Sequence, residues 1–313
     1  MRDEPETTSA MSLRTVLKRG LCSTGISGAL ARRDGSSFIL AAHIVLEEEA
    51  QALADVIRLL RRRFSLVSID EYLAALRTGA CRNLVTLTFD DGLRNQLTVA
   101  HQVLSSLRVP ATFYVCPALV GTPYSTWTWE LGPRLSRLSS PRRHQIFARG
   151  SADSFPTFLE GLKTMPLGRR DALWDEIVSA TPGFAFTPDE ERQFALMDWA
   201  ELARLDRSLI TIGSHTLTHV DLPQVDDERL EDELAASKAM LRAKLGYDAR
   251  HFAYPNGSHD HRASRAVARH FESGVTMDQR AVGPASSPHL LPRVHIQWDL
   301  PELVWTLARV ARG

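Results

Sequence analysis

Thr86-Leu-Thr-Phe-Asp-Asp-Gly92 is a β-branched and apolar run that stops at two adjacent carboxylates and a glycine. A buried parallel strand reads as such a run, and it delivers the residues that follow it to the carboxyl edge of a sheet. A second apolar run, Ser208-Leu-Ile-Thr-Ile-Gly213, ends in Ser214-His-Thr-Leu-Thr-His219, which offers two imidazoles four residues apart. One carboxylate and two imidazoles make a mononuclear metal site with open positions, and the second carboxylate is left over as a base. Each piece alone is weak. With 11 His in 313 residues, chance supplies roughly 0.35 pairs at that spacing, and Asp-Asp-Gly is also a common turn. Joined at the ends of two predicted strands, they point to metal-dependent hydrolysis.

Working outward, strands and helices alternate from Ser37 onward. Phe38 to Val45, Leu84 to Phe89, Ala111 to Cys116, Leu209 to Ile212, His251 to Tyr254, Gly274 to Met277 and Leu290 to Ile296 read as strands. Glu47 to Arg63, a short stretch from Ile69, Asn95 to Leu107, Asp227 to Leu245, Arg262 to His270 and a final stretch from Pro301 read as helices. Such alternation with apolar strands indicates α/β with a parallel sheet. The period does not separate an open sheet from a barrel. The region from about Gly121 to Leu196 breaks the rhythm, with Pro133, Pro141, Pro156, Pro166 and Pro182 as punctuation, and reads as a mostly helical insertion. Its Trp127 and Trp129 are candidates for stacking on a sugar ring, although a tryptophan more often serves the core.

Composition narrows the function. A formal net charge of zero argues against a nucleic-acid binder that relies on a basic surface. Cys22, Cys81 and Cys116 are too few and too scattered for a disulfide framework, so a reducing compartment is expected. No run approaches the length of a membrane-spanning helix. Asp3, Glu4 and Glu6, with no continuous apolar core after them, do not read as a secretory signal, and the expected location is cytoplasmic. Met11 to Arg33 carries Arg14, Lys18, Arg19, Arg32 and Arg33 without an acid, and Leu13, Val16, Leu17 and Leu21 recur at helical spacing. A solvated helix packed on the domain is the plainer reading. The sharper one is weak contact with the inner membrane face.

The two opening motifs resemble the polysaccharide deacetylase (NodB-homology) family of carbohydrate esterases. Its T-F-D-D-G motif stands at Thr88 to Gly92, and its H-[ST]-x-x-H motif at His215 to His219. A third stretch, Phe252-Ala-Tyr-Pro-Asn-Gly257, is similar to the F-A-Y-P-x-G variant of the family's third motif. The resemblance runs in family order from about Phe38 to Val294. It implies a distorted (β/α) barrel, here over 37–313; the insertion at about 121–197 is then expected over its mouth, and the basic helical residues read above make 1–36 an extension. Barrel sites sit at the carboxyl ends of the strands.

Within that resemblance the roles follow from charge and reach. Asp91, His215 and His219 would hold one divalent ion, with zinc suited to the donors and cobalt, nickel or iron also compatible. Asp90 would act as general base toward water, while the ion polarises the acetyl carbonyl. A main-chain N–H near Asn256, beside Tyr254 and Pro255, would be a second donor to the developing oxyanion. The branch with F-A-Y-P-x-G places a histidine of a Y-H-x-V motif as the acid. Here Ala42-His43-Ile44-Val45 keeps His43 and lacks the tyrosine. His295, in Leu291-Pro-Arg-Val-His295, is the alternative acid, and the family's late histidine register falls on Gln297. The arginine of the commoner third motif is replaced by Ala253, and Arg293 is the expected substitute beside Asp90. His259-Asp260-His261 precedes a helix, where capping explains it better than metal binding.

The expected reaction is hydrolysis of N-acetyl groups from amino sugars of a polysaccharide or its precursor, with an N-acetylated glycan or lipid-linked oligosaccharide as partner. Two alternatives stand beside it. One is amide hydrolysis of a small nitrogenous molecule by the same chemistry, and the other is a non-catalytic glycan-binding member of the family.

Overall fold

A computed structural model describes residues 35–311. The basic segment Met11 to Arg33, with its expected membrane-facing helix, lies outside the described residues. Strands β1 (Phe38–Ala42), β2 (Ser65–Leu66), β3 (Leu84–Phe89), β4 (Ala111–Val115), β5 (Ile210–Ser214), β6 (His251–Ala253), β7 (Ser273–Val275) and β8 (Val294–His295) form one sheet. Its order is β7-β6-β5-β4-β3-β1-β8, with β2 pairing β3 off that path. These strands pair in parallel throughout. Leu291 bridges Val275 in β7, and Val294 pairs with Leu40 in β1. The stretch 291–295 therefore reaches both ends of the path, and the sheet curls into the expected distorted barrel.

The strands are apolar because both faces are covered. Phe38, Leu40, Val85, Leu87, Phe113 and Ile212 pack in one cluster with residues of α1 (Ala50–Arg61), such as Leu53 and Ile57. Their neighbours Ile39, Tyr114, Ala253 and Val275 face the other way and pack with Ile69, Tyr72, Leu73 and Leu76 of α2 (Ile69–Arg77). The helix expected from Asn95 opens with one π turn, Gln96–Ala100, before α3 (His101–Leu107). The sequence reading extended the first strand to Val45. It stops at Ala42 because its partner β3 ends at the paired residue Phe89. The two-residue β2 is too short to show a period.

Between β4 and β5 lie α4 (Trp127–Arg137), α5 (Ser140–Arg149), α6 (Phe155–Thr164), α7 (Leu167–Ser179), α8 (Pro188–Phe194) and α9 (Trp199–Ala203). Leu131, Leu135, Ile146, Phe147, Phe158, Leu162, Leu173 and Ile177 give α4 to α7 a core of their own, while Leu202 of α9 packs in the main core. The segment is stitched back to the residues after Asp-Asp-Gly. Leu93 bridges Leu196, the Arg94 N–H donates to the Ala195 carbonyl at 2.8 Å, and the Met197 N–H donates to the Gly92 carbonyl at 2.9 Å. After β5 come α10 (Asp227–Leu245), α11 (His261–His270) and α12 (Leu300–Val310). None of the helices described is long and apolar enough to cross a membrane.

Gly213 marks a close approach inside β5. A Cβ there would meet the Tyr114 ring and come within 2.9 Å of the His251 carbonyl oxygen. Gly213→Ala is expected to cost about 1–3 kcal/mol through overpacking. Gly161→Ala, on a helix where the nearest atom to a new Cβ is 3.7 Å away, is expected to be neutral or to stabilise by roughly 0.5–1 kcal/mol. Urea unfolding of the two variants checks the contrast.

Candidate active site

Register brings the site together. Ala42 pairs with Phe89, so His43 and Asp90 leave β1 and β3 at the same level. Val115 pairs with Ser214, and the His215 N–H donates to the Val115 carbonyl at 2.9 Å. Ala41 pairs with His295, which closes the ring of functional side chains from the last strand. Asp91 and His219 are turned by left-handed backbone, with φ of +74° and +64°. Asp tolerates that region better than most residues. The turn and the carboxylate display are thus the same feature.

Asp91, His215 and His219 are all buried, and one potential ligand atom from each lies within 4.8 Å of the others. Asp91 Oδ1 is 3.5 Å from His215 Nε2 and 3.3 Å from His219 Nε2. His215 Nδ1 lies 2.7 Å from the Ala253 carbonyl oxygen. That contact requires the proton on Nδ1 and leaves the Nε2 lone pair free. Burial pushes the His215 imidazole down to about 4, so it is neutral as a ligand must be. Burial would raise the Asp91 carboxyl, but the close imidazoles, His219 first, outweigh that and hold it well below the usual range. Asp91 Oδ1 is a buried oxygen without a hydrogen-bond partner. An orphaned carboxylate oxygen facing two imidazole nitrogens fits a divalent cation.

Asp90 is held apart from this group. The Arg293 guanidinium donates Nη1–H to Asp90 Oδ1 at 2.7 Å and Nη2–H to Oδ2 at 2.6 Å. It also donates to the Thr276 carbonyl at 2.9 Å and to Thr88 Oγ1 at 3.1 Å. Arg293 is fully buried, so this is an interior ion pair. Burial works against the Asp90 carboxylate, and Arg293 overcomes it, so the group stays below its ordinary value. His43 Nε2 is 3.8 Å from Asp90 Oδ2, and the His43 and His295 rings are 6.1 Å apart.

These side chains line a cavity of 310 Å³. Asn256, Tyr254 and Met277 line its far side, and Thr128, Trp129, Leu159 and Lys163 bring the helical insertion into its wall. Asn256 sits at φ +55° and donates its side-chain amide to Asp221 Oδ1 at 2.9 Å. The Tyr254 hydroxyl is occupied by the His289 carbonyl at 2.9 Å, and Pro255 is buried beneath the loop. Trp127 lies elsewhere: it lines a neighbouring cavity of 470 Å³, with Arg170 over its ring at 5.2 Å. His259 folds back onto the Gly257 carbonyl, and Asp260 caps α11 through the Ala263 N–H, which is the capping role expected of that cluster.

The polysaccharide deacetylase family model matches residues 78–272, more than half of the chain, and covers both the Asp-Asp-Gly and the two-histidine stretches. The chain belongs to the polysaccharide deacetylase family. Among solved structures it is similar to the Streptococcus pyogenes deacetylase PplD in complex with acetate, at 18% identity and a TM-score of 0.57, covering 87% of this chain and 98% of that one. IcaB from Ammonifex degensii gives 20% identity and a TM-score of 0.57 over 88% of this chain and 97% of its own. A polysaccharide deacetylase from Bacillus cereus, BC0361, gives 16% identity and a TM-score of 0.56 over 87% and 69%. At these identities the likeness is one of fold. Among curated proteins, no sequence matches this chain.

Three supporting residues escaped the motif reading of this deacetylase. Glu233 of α10 accepts from the Leu217 and Thr218 N–H groups, each at 2.9 Å, and from the Thr218 hydroxyl at 2.6 Å, which fixes the loop between the two histidines. Gln96, in the π turn, donates its amide to the carbonyls of both His43 and Asp90. Asp221 is fully buried and ties Asn256 to Arg170 of the insertion, the latter at 2.6 Å. Glu233 had a sequence signal, because it is a charged residue in helical register with Leu230, Leu234 and Leu241 on the buried face of α10.

Removing one partner of a buried ion pair leaves the other charge uncompensated. Arg293→Ala is expected to cost about 3–5 kcal/mol of stability. Asp90→Asn combined with Arg293→Met is expected to cost less than the sum of the single changes, since the pair couples. A double-mutant cycle by chemical denaturation checks this. Additive costs would show that the pair contributes no coupling.

Proposed function

We propose that this polysaccharide deacetylase is a metal-dependent hydrolase that removes N-acetyl groups from amino sugars of a glycan or its biosynthetic precursor. The observation that carries the reading is the division of two adjacent carboxylates: Asp91 faces two imidazoles, and Asp90 is locked on Arg293 in the same cavity. Asp91, His215 and His219 would hold one divalent ion, zinc by preference for two nitrogens and a carboxylate, with cobalt, nickel or iron compatible. When bound, it supplies Lewis-acid polarisation of the acetyl carbonyl and lowers the pKa of water.

The chain's own groups do the rest. Asp90 takes the proton of the attacking water through the oxygen edge that Arg293 leaves accessible, and its fixed orientation keeps it from swinging toward the cation. The carbonyl oxygen gains negative charge as the tetrahedral intermediate forms, and the main-chain N–H near Asn256 would share it. The leaving amine needs a proton. His295 is at an exposed position; partial burial of its ring, with the nearby His43 and Arg293, pushes its imidazole down to about 4. We assign the donor role to His43, whose Nε2 stands 3.8 Å from Asp90 Oδ2 in the same cavity. Trp129, Leu159 and Met277 offer apolar wall to a sugar ring, and the acetate bound by the Streptococcus pyogenes relative is the product such a reaction would release.

The test is acetate release from N-acetylglucosamine oligomers and lipid-linked glycan precursors by metal-loaded protein. Wild type is expected to release acetate, and Asp90→Asn is expected to lose on the order of 10²–10⁴ in rate, the usual contribution of a general base. Chelation should abolish the activity and added divalent metal restore it. Loaded protein that releases no acetate from any glycan but hydrolyses small amides would replace this reading with the amidohydrolase one.

A further inference from the structure

We propose that Trp129 is a positioning residue for the metal ligand Asp91, so that the helical insertion supplies part of the metal centre as well as a wall of the cavity. The inference rests on the metal reading above. The Trp129 indole Nε1–H donates to Asp91 Oδ2 at 2.8 Å. An indole nitrogen is a donor only, so it cannot compete for a cation, and it commits one carboxylate oxygen to itself. The other oxygen, Oδ1, is the buried and unpartnered one that stands 3.3 and 3.5 Å from the two imidazole nitrogens. The two oxygens of Asp91 are thereby assigned to different partners. A metal held here would meet Asp91 through Oδ1 alone, leaving more of its coordination shell open for water and substrate.

The donor is itself fixed. The Trp129 ring stacks on Phe194 with centroids 5.7 Å apart at 17°, and the His43 ring meets it edge-on at 5.9 Å. Phe194 ends α8, and the Asn95 side chain donates to the Arg192 and Gln193 carbonyls at 3.2 and 2.9 Å just before it. Asn95 follows the Asp-Asp-Gly turn by three residues, so the same short stretch of backbone carries the ligand and anchors the helix that braces its partner. Without the indole N–H, Asp91 Oδ2 would be a buried oxygen with no donor from Trp129. The carboxylate would then be free to rotate or to bind a cation through both oxygens. Outer hydrogen bonds of this kind set ligand orientation, and their loss commonly costs 10–100-fold in metal affinity.

The experiment is metal titration of Trp129→Phe, which keeps an aromatic ring against Phe194 and deletes the N–H. Affinity is read by competition with a chelating indicator in the absence of substrate, and ligand geometry by the absorption spectrum of the Co²⁺ form. The expected result is a loss of about 10–100-fold in affinity together with a changed Co²⁺ spectrum, in a variant whose thermal unfolding matches wild type. Wild-type affinity and spectrum in the folded variant would overturn the proposal and leave the metal reading standing. If Trp129→Phe does not fold, Phe194→Leu carries the test: it loosens the ring without touching a ligand, a several-fold loss of affinity is expected, and wild-type behaviour overturns the proposal. Wild-type protein that binds no divalent metal would overturn the metal reading itself, and this inference with it.

Discussion

The buried ion pair between Asp90 and Arg293 is the interaction on which the rest of the site depends. Arg293 lies between Leu291, which bridges β7, and Val294, which pairs with β1. Its guanidinium therefore crosses the seam where the sheet returns on itself and reaches the end of β3. Two charges buried this deeply are tolerated because the fork donates to four oxygens: both carboxylate oxygens, the Thr88 hydroxyl and the Thr276 carbonyl. A pair of this kind is weak evidence for stability in its own right, since desolvation opposes it. What it does secure is a direction. It leaves one carboxylate with a fixed face toward the cavity, next to a second carboxylate turned toward the imidazoles.

That division could not arise from the motif alone. Asp90 and Asp91 are neighbours in sequence, and like charges so close would raise one another's pKa. The backbone separates them, since Asp91 takes a left-handed conformation while Asp90 still continues the line of the strand. Each then meets its own positive or polarising partner. One strained residue thus converts a repeated acid into two groups of different chemistry.

Much of this was legible in the sequence. Leu84–Phe89 and Asp227–Leu245 appear as strand and helix at the residues expected, because a long apolar period and clear caps leave little latitude. Asp90, Asp91, His215, His219, His43 and His295 line one cavity, and Arg293 sits behind Asp90. These positions were readable because parallel strands in register deliver whatever follows them to one edge. Trp127 and Trp129 were not separable in sequence, being two residues apart at the start of one helix. Their side chains diverge, Trp129 toward the cavity lined by Asp91, His215 and His219 and Trp127 toward the cavity lined by Arg170. Gln96 and Asp221 carried no pattern, because their roles depend on contacts with residues 53 and 51 positions away, His43 and Arg170.

The insertion is where sequence and structure differ most in emphasis. Read as a lid, it would need only to cover the mouth. Its connections are deeper: α8 is tied to the backbone after Asp-Asp-Gly, Arg170 holds the acid that holds Asn256, and Trp129 donates to the Asp91 carboxylate. The three ties reach different parts of the site: the turn after β3, the loop that carries Asn256, and the Asp91, His215 and His219 cluster.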